Sequence, residues 1–335
     1  MSGVSGMSEI KILTGKAVLA TRVLWEDVFT EDSKRFVDYY YSHKAEKNIC
    51  FVIQEMDEIV SMVHLTPYDM CVKCESDMEK ETKLVSLQTF SSFYIVGVAT
   101  RKSYRHKGYM TALLECAFSY MKNCHTPFTF LMPANPAIYE PFGFRYIYER
   151  TDYEFCPDYL IIDRVITKLQ MHEVLSEGCK SSLADKDYGN NSQKQVIEIV
   201  KAEEKHCEQL ASFSMEQLVA RYDFFLKRDE EYFRTLLMEL ESENGCVYLV
   251  YVKGELVGYF THACEEEEFV QEVLIKECYE SILVVDEGAE GLLVRKTKKT
   301  PIIMGKKLCF DTGFETILQQ IADGRNQNGF MNEVV

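Results

Sequence analysis

Residues 94–110 read YIVGVATRKSYRHKGYM, and this segment constrains the fold more than any other in the chain. Phe93, Ile95, Val96, Val98 and Thr100 make the run from 92 to 100 suited to a buried strand. Arg101, Lys102, Arg105, His106 and Lys107 then place five basic side chains in seven positions. Gly108 follows, a residue whose missing Cβ lets main chain come close to a ligand. Beyond it Met110, Leu113, Leu114, Ala117, Phe118 and Met121 recur three and four apart, which predicts an amphipathic helix over 108–123. That order brings together a basic loop, the helix dipole and the N–H groups of a first helical turn. On spacing alone two readings stand, an anion site and a solvated charged face.

The rest of the chain makes the cluster local. The formal net charge is −16, which argues against a nucleic-acid partner, because neutralising phosphates requires a basic face. The same acidity favours a cationic co-substrate through long-range attraction, while the basic loop suits a small anionic cofactor. At 335 residues and 47% hydrophobic content the chain is globular and fits two or three domains. Its 12 cysteines are scattered singly, and MSGVSGMSEIKIL lacks the basic and apolar regions of a signal peptide. A cytoplasmic chain with reduced thiols is expected. Cys71 and Cys74 form a CxxC without a second pair, and the nearest histidine, His64, falls on an apparent strand, so incidental thiols are expected and no metal. No apolar run approaches the roughly 20 residues of a membrane span.

Along the chain, residues 17–43 read as two helices, with Val23, Leu24 and Val28 on one apolar face and Phe36, Val37 and Tyr40 on the other. A cap falls within Thr30, Glu31, Asp32 and Ser33. Runs at 49–53 and 59–65 around Met56, Asp57 and Glu58 predict a hairpin ended by Pro67, and the charged stretch 69–84 predicts a loop. A strand over 128–132 is followed by a turn at 133–136, a short helix carrying Ile138, Tyr139 and Phe142, and a strand from Phe144. The segment 176–195 reads as a loop inside a second domain. FVIQEMDEIVSMV at 51–63 aligns with YLVYVKGELVGYF at 248–260, each preceded by a helix-rich stretch, 202–243 for the second. After the second copy come Cys264 and Glu265, Glu266, Glu267 and Glu268. With no basic glycine loop downstream, that half is expected to be a scaffold or pocket wall.

Arg105-His106-Lys107-Gly108-Tyr109-Met110 resembles the pyrophosphate-binding R/Q-x-x-G-x-G/A motif of the GNAT superfamily of acyl-CoA-dependent N-acetyltransferases, and VGVAT resembles its acetyl-CoA strand. Met110 stands where that family prefers glycine or alanine. Ile138-Tyr139-Glu140-Pro141-Phe142-Gly143-Phe144 is similar to the I-Y-x-x-F-G-F/Y segment of the enhanced-intracellular-survival (Eis-like) branch. Ala134 replaces a serine that contacts the cofactor in members of that branch, which moves any such contact to Asn135 or the main chain. The resemblance implies an α/β (α+β) fold: two tandem GNAT-type mixed sheets with flanking helices, the second degenerate, and a short C-terminal α/β segment. The expected domains are a catalytic one at 1–158, a degenerate one at 159–275 and a shortened sterol-carrier-like segment at 276–335. It also implies self-association as a homo-oligomer.

Acetyl transfer from a thioester to an amine needs a neutral amine, stabilisation of the oxyanion and a proton for the leaving thiolate. The resemblance assigns acetyl-CoA to Val98, Ala99, Thr100, Arg105, His106, Lys107, Gly108, Tyr109, Met110 and Asn135, with the pantetheine arm laid along the strand edge. It makes Tyr139 the general acid, because a phenol stays protonated at neutral pH; a merely packed tyrosine is the alternative. It makes the carboxylate of Val335, at the end of the apolar GFMNEVV, the base; an ordinary packed terminus is the alternative. Aminoglycosides, polyamines, or lysine and N-terminal amines are the implied acceptors. A catalytically silent acyl-CoA sensor is the second reading of the whole chain, and a structural interaction protein using the acidic surface is the third. The last would leave the basic loop unexplained.

Overall fold

A computed structural model describes residues 9–76, 84–155, 169–170, 197–264, 268–289, 292–308 and 315–332. Val335, the segment 176–195 and Glu265, Glu266 and Glu267 lie outside them. The chain is mixed α/β, and its contacts divide it into one unit of residues 1–149, 222–227 and 301–335 and another of residues 150–221 and 228–300.

The first unit is built on β1 (Ile10–Thr14), β2 (Ile49–Glu55), β3 (Glu58–Ser76), β4 (Leu84–Thr100) and β5 (Phe128–Leu131), in that spatial order. Pairing is antiparallel from β1 through β4 and parallel between β4 and β5. Residues 304–307 then close β5 antiparallel, from Met304 opposite Leu131 to Lys307 opposite Phe128. The helices α1 (Arg22–Val28), α2 (Lys34–Tyr39) and α3 (Tyr109–Asn123) flank this sheet. Ser33 caps α2 by accepting from the Phe36 N–H at 3.1 Å, inside the predicted cap. After α2 the chain widens into a π turn at Tyr40–Lys44, which lets the consecutive Tyr40 and Tyr41 both be buried. The predicted apolar face of α3 is the observed one, with Leu113, Leu114, Ala117, Phe118 and Met121 buried against Phe51, Val63, Leu65 and Ile95.

Two expectations are corrected. Pro67 does not end β3, which runs on to Ser76. Proline is tolerated there because β2 pairs β3 only as far as Leu65, and the next strand on that side, Phe224–Leu226, begins opposite Met70, so few ladder bonds are lost at 67. The loop expected over 69–84 is strand at both ends, since Met70, Cys71 and Val72 are buried between β4 and Phe224–Leu226, while 77–83 lie outside the described residues.

The second unit repeats the opening order of the first. Ile197–Lys201, the helices Cys207–Arg221 and Glu230–Ser242, then Cys246–Val252, Glu255–Cys264 and Glu268–Ile275 succeed one another, with all adjacent strands antiparallel. The aligned hairpins agree in detail. Each turns through two left-handed residues, Met56 and Asp57 (φ 48° and 67°) in one and Lys253 and Gly254 (φ 51° and 80°) in the other. Each carries its bulge at the same aligned place, between Ile53 and Gln54 and between Val250 and Tyr251. Beyond the fourth strand the two units differ. After Thr100 comes the basic loop, whereas after Ile275 come Lys276, held 2.6 Å from Glu255, and a helix opening on Glu277. A buried network fixes this unit: Arg228 pairs with both oxygens of Glu272, and Tyr259 accepts from Arg228 at 2.6 Å while donating to Glu272 at 2.6 Å.

Candidate active site

The basic loop opens with a 3-10 turn at Lys102–Tyr104 and reverses through two left-handed residues, His106 (φ 63°) and Gly108 (φ 80°), before α3 begins. Glycine is required at 108 for its backbone conformation, which an L side chain adopts only with strain. A Cβ there would meet nothing within 4 Å, so the mouth of the helix is open. The first-turn N–H groups of α3 have no intrahelical acceptor and lie at the positive end of its dipole. Arg105, His106 and Lys107 are exposed around this point. The Arg105 Nε donates to the Thr100 carbonyl at 3.1 Å, tying the loop to the end of β4. Lys107 sits 4.5 Å over the Tyr104 ring, which stacks on Tyr109, and Tyr109 donates to Glu55 at 2.8 Å. Met110 is half-buried and packs on the core below, so its bulk belongs to the interior. Arg101 stands apart from the others, 3.3 Å from Glu58 and 3.6 Å from Asp27, and its charge is spent inside the fold.

The two central strands diverge at the same end. Ser92 donates to the Phe128 carbonyl at 2.9 Å and Thr129 to the Phe93 carbonyl at 2.8 Å, clamping β4 and β5 where their parallel pairing reads Phe93 opposite Thr129 and Tyr94 opposite Phe130. Pairing stops there, while β4 continues to Thr100. On its other side β4 jumps from Val96 opposite His64 to Ala99 opposite Met62, leaving Gly97 and Val98 bulged against Val63. Main-chain groups at the bulge are therefore out of register with β3 and past the reach of β5. Val98 and Thr100 are half-buried and Ala99 is buried; Ser61 holds this end by donating to the Ala99 carbonyl at 3.1 Å and meeting the Thr100 hydroxyl at 2.8 Å.

Tyr139 lies in a pair of 3-10 turns, Pro136–Ile138 and Glu140–Phe142, closed by left-handed Gly143. It is buried in the same hydrophobic cluster that Val98, Tyr104, Tyr109 and Met110 pack against, edge-on to Phe144 at 6.1 Å. The bulge, the loop and the tyrosine thus share one cluster. Burial pushes the Tyr139 hydroxyl up to about 12, and it makes no hydrogen bond among the described residues. Asn135 is exposed and accepts from the Ala137 N–H at 3.1 Å, so its carbonyl caps the turn while its amide donors face outward.

Sequence reasoning passed over Gly97 and the group beneath it. Gly97 has φ 58°, and a Cβ there would fall 2.6 Å from Trp25 and 3.4 Å from His64. A lone glycine inside an apolar strand run was the available signal. Trp25 donates to Asp32 at 2.7 Å and packs against Tyr40, the two rings tilted by 33° with centroids 4.4 Å apart. Among the described residues no group of three or more His, Cys, Asp or Glu is placed to hold a metal ion. Nor is any helix among them long and apolar enough to cross a membrane.

This geometry agrees with what the chain resembles. Residues 9–147, the part of the chain that holds the bulge, the loop and Tyr139, match the family model for the acetyltransferase (GNAT) domain. A protein of Enterococcus faecalis described as a probable N-acyltransferase is similar in structure, with TM-score 0.60 and 12% identity over 90% of this chain and 73% of that one. GCN5-related N-acetyltransferases from Anabaena variabilis (TM-score 0.56, 12% identity, 90% and 73% covered) and Kribbella flavida (0.54, 12%, 90% and 71%) are similar as well. At that identity the likeness establishes the fold. No curated protein matches the sequence.

Proposed function

We propose that the protein transfers an acetyl group from acetyl-CoA to a primary amine. One observation carries the proposal: the open N-terminus of α3, ringed by exposed Arg105, His106 and Lys107, stands at the end of β4 where that strand bulges and parts from β5. The donor set fits an acyl-CoA. Backbone N–H groups and three basic side chains suit its pyrophosphate, and the parted strand offers main-chain groups to an amide arm. In the reaction the amine attacks the thioester carbonyl, a C–N bond forms, the C–S bond breaks, and the nitrogen gives its proton to solvent water, from which the Tyr139 hydroxyl is afterwards restored. Tyr139, still protonated at neutral pH, donates a hydrogen bond and then the proton to the departing sulfur.

The acceptor belongs to the same proposal: a cationic small molecule such as a polyamine or aminoglycoside, or a lysine or N-terminal amine, drawn by a chain of net charge −16. An Eis-like affiliation is supported by the Ile138 to Phe144 segment and by the repeated hairpin of the second unit. A cytoplasmic setting completes the reading. Thiol release from acetyl-CoA over a panel of amines tests it. Release with any amine, lost in Tyr139→Phe, supports transfer; CoA binding without release from any amine leaves the chain an acyl-CoA-binding protein, and no CoA binding overturns the reading.

A further inference from the structure

His64 is fully buried on β3, with its Cδ2 edge turned toward Gly97 and its ring edge-on to Trp25 at 5.6 Å. Its other edge is engaged: the Tyr40 hydroxyl lies 3.2 Å from Nδ1, and the Asn48 amide donates to that hydroxyl at 2.8 Å. Because Tyr40 accepts from Asn48, the arrangement that leaves fewest groups unmatched has Tyr40 donating its own proton to Nδ1. A neutral imidazole accepting at Nδ1 carries its hydrogen on Nε2. Among the described residues that buried Nε2 has no hydrogen-bond partner, and neither do the buried Asn48 Oδ1 and Thr66 Oγ1. His64 and Thr66 are two apart on β3 and share a sheet face with Val96 and Tyr94 of β4, the face on which Asn48 approaches the imidazole. A buried donor beside a bulge that displaces main-chain groups from their ladder is the setting in which proteins hold an internal water.

We propose that His64 is a positioning residue for acyl transfer: its Nε2–H, fixed by Tyr40 and Asn48, holds one buried water that hydrogen-bonds the bulged main chain at Gly97 and Val98. The inference rests on the acetyl-transfer reading for its consequence. The bulge is the part of β4 that would face the thioester, and a main-chain donor serves an oxyanion only when it is held rigidly. Burial also pushes the imidazole down to about 3, so it stays neutral and keeps one tautomer across the working range.

Nitrogen NMR of the labelled full chain tests the assignment directly. Expected are a His64 imidazole that remains neutral with the hydrogen on Nε2 from about pH 5 to 8, and magnetisation transfer from a long-lived water to that hydrogen. An Nδ1–H tautomer, titration near the ordinary histidine value, or the lack of a slowly exchanging water would each overturn it. His64→Leu should lower kcat by about tenfold while CoA affinity changes by less than about threefold, and His64→Gln, which can present an amide donor, should recover part of the loss. A His64→Leu protein that folds and turns over like the wild type would also overturn it. The tautomer is read whether or not any amine elicits turnover, so failure of acetyl transfer and failure of this assignment are separate results.

Discussion

The Nζ of Lys306 donates to the carbonyl of Phe142 and lies 5.4 Å over the Phe118 ring, fastening the turn that carries Tyr139 to the strand that closes β5. The ammonium is half-buried, and burial, then the nearby Lys122, lowers its pKa. It nevertheless caps Phe142 where Gly143 leaves room, since Nζ stands 3.2 Å from the place a Cβ would take. Lys306→Met should destabilise the fold by about 1–2 kcal/mol in urea unfolding, as expected for loss of one charge-assisted hydrogen bond. It should also lower kcat more than CoA affinity. Unchanged stability would show that the bond is incidental.

Tyr139→Phe should lower kcat by about a hundredfold with CoA binding nearly unchanged, the usual scale for losing a general acid. Because burial raises the hydroxyl to about 12, the wild type should show no alkaline loss of kcat from this group below about pH 11. A basic limb near pH 10 that disappears in Tyr139→Phe would show that the hydroxyl is hydrated after all.

Gly97→Ala should be among the most damaging small substitutions in the first unit. It forces an L side chain to φ 58° and drives its Cβ to 2.6 Å from the buried Trp25 ring. A loss of about 2–4 kcal/mol is expected from the backbone strain and overpacking together. Thermal unfolding of the variant measures it, and a loss under about 1 kcal/mol would mean that the bulge relaxes freely.

The loop and its flank should separate cleanly in CoA titrations. Arg105→Glu or Lys107→Glu should weaken CoA binding by about tenfold, more at low salt, since each reverses a charge at the helix mouth. Arg101→Ala should leave affinity within about twofold, because Arg101 already faces Glu58 and Asp27. Equal losses at all three positions would contradict the division drawn between them.

Acid should unfold the protein partly through His64. Its folded pKa, about 3, lies below the ordinary value of 6.5, so the unfolded chain takes up a proton that the folded one refuses. Stability is then unaffected above about pH 6.5 and falls as pH drops toward 3, by up to about 1.4 kcal/mol per pH unit. His64→Gln should flatten the stability curve across that window. An identical acid slope in both proteins would assign acid unfolding to the carboxylates instead.

The sequence disclosed whatever is written locally. The stripe from Leu113 to Met121 and the apolar run into Thr100 are periodic within a few residues, and both elements stand where that periodicity placed them. The repeat of the hairpin was visible for the same reason, whereas the bulge the two copies share shows only in their strand register. Residues 69–76 were not legible, because the strand that buries Met70, Cys71 and Val72 arrives about 150 residues later, as Phe224–Leu226. The loop at Arg105 to Gly108 announced itself by charge, but only the ion pairs of Arg101 show which bases remain free to meet a ligand. Gly97 carried its signal in plain view. The packing of His64 did not, since it depends on a π turn that no apolar spacing reveals.

The first unit is assembled from three separate stretches of chain, and that fixes when it can be finished during synthesis. By the time Glu149 has left the ribosome, β5 holds β4 at only two register positions, and its other edge waits for Met304 to Lys307. Phe128 and Phe130, buried in the finished fold, must be shielded through the translation of roughly another 150 residues, a period in which an open strand edge invites wrong partners. The stretch that matches the acetyltransferase domain, 9–147, therefore stops short of the residues that close β5. Expressed alone it should associate through that edge, because Met304 to Lys307 would not be there to cover it.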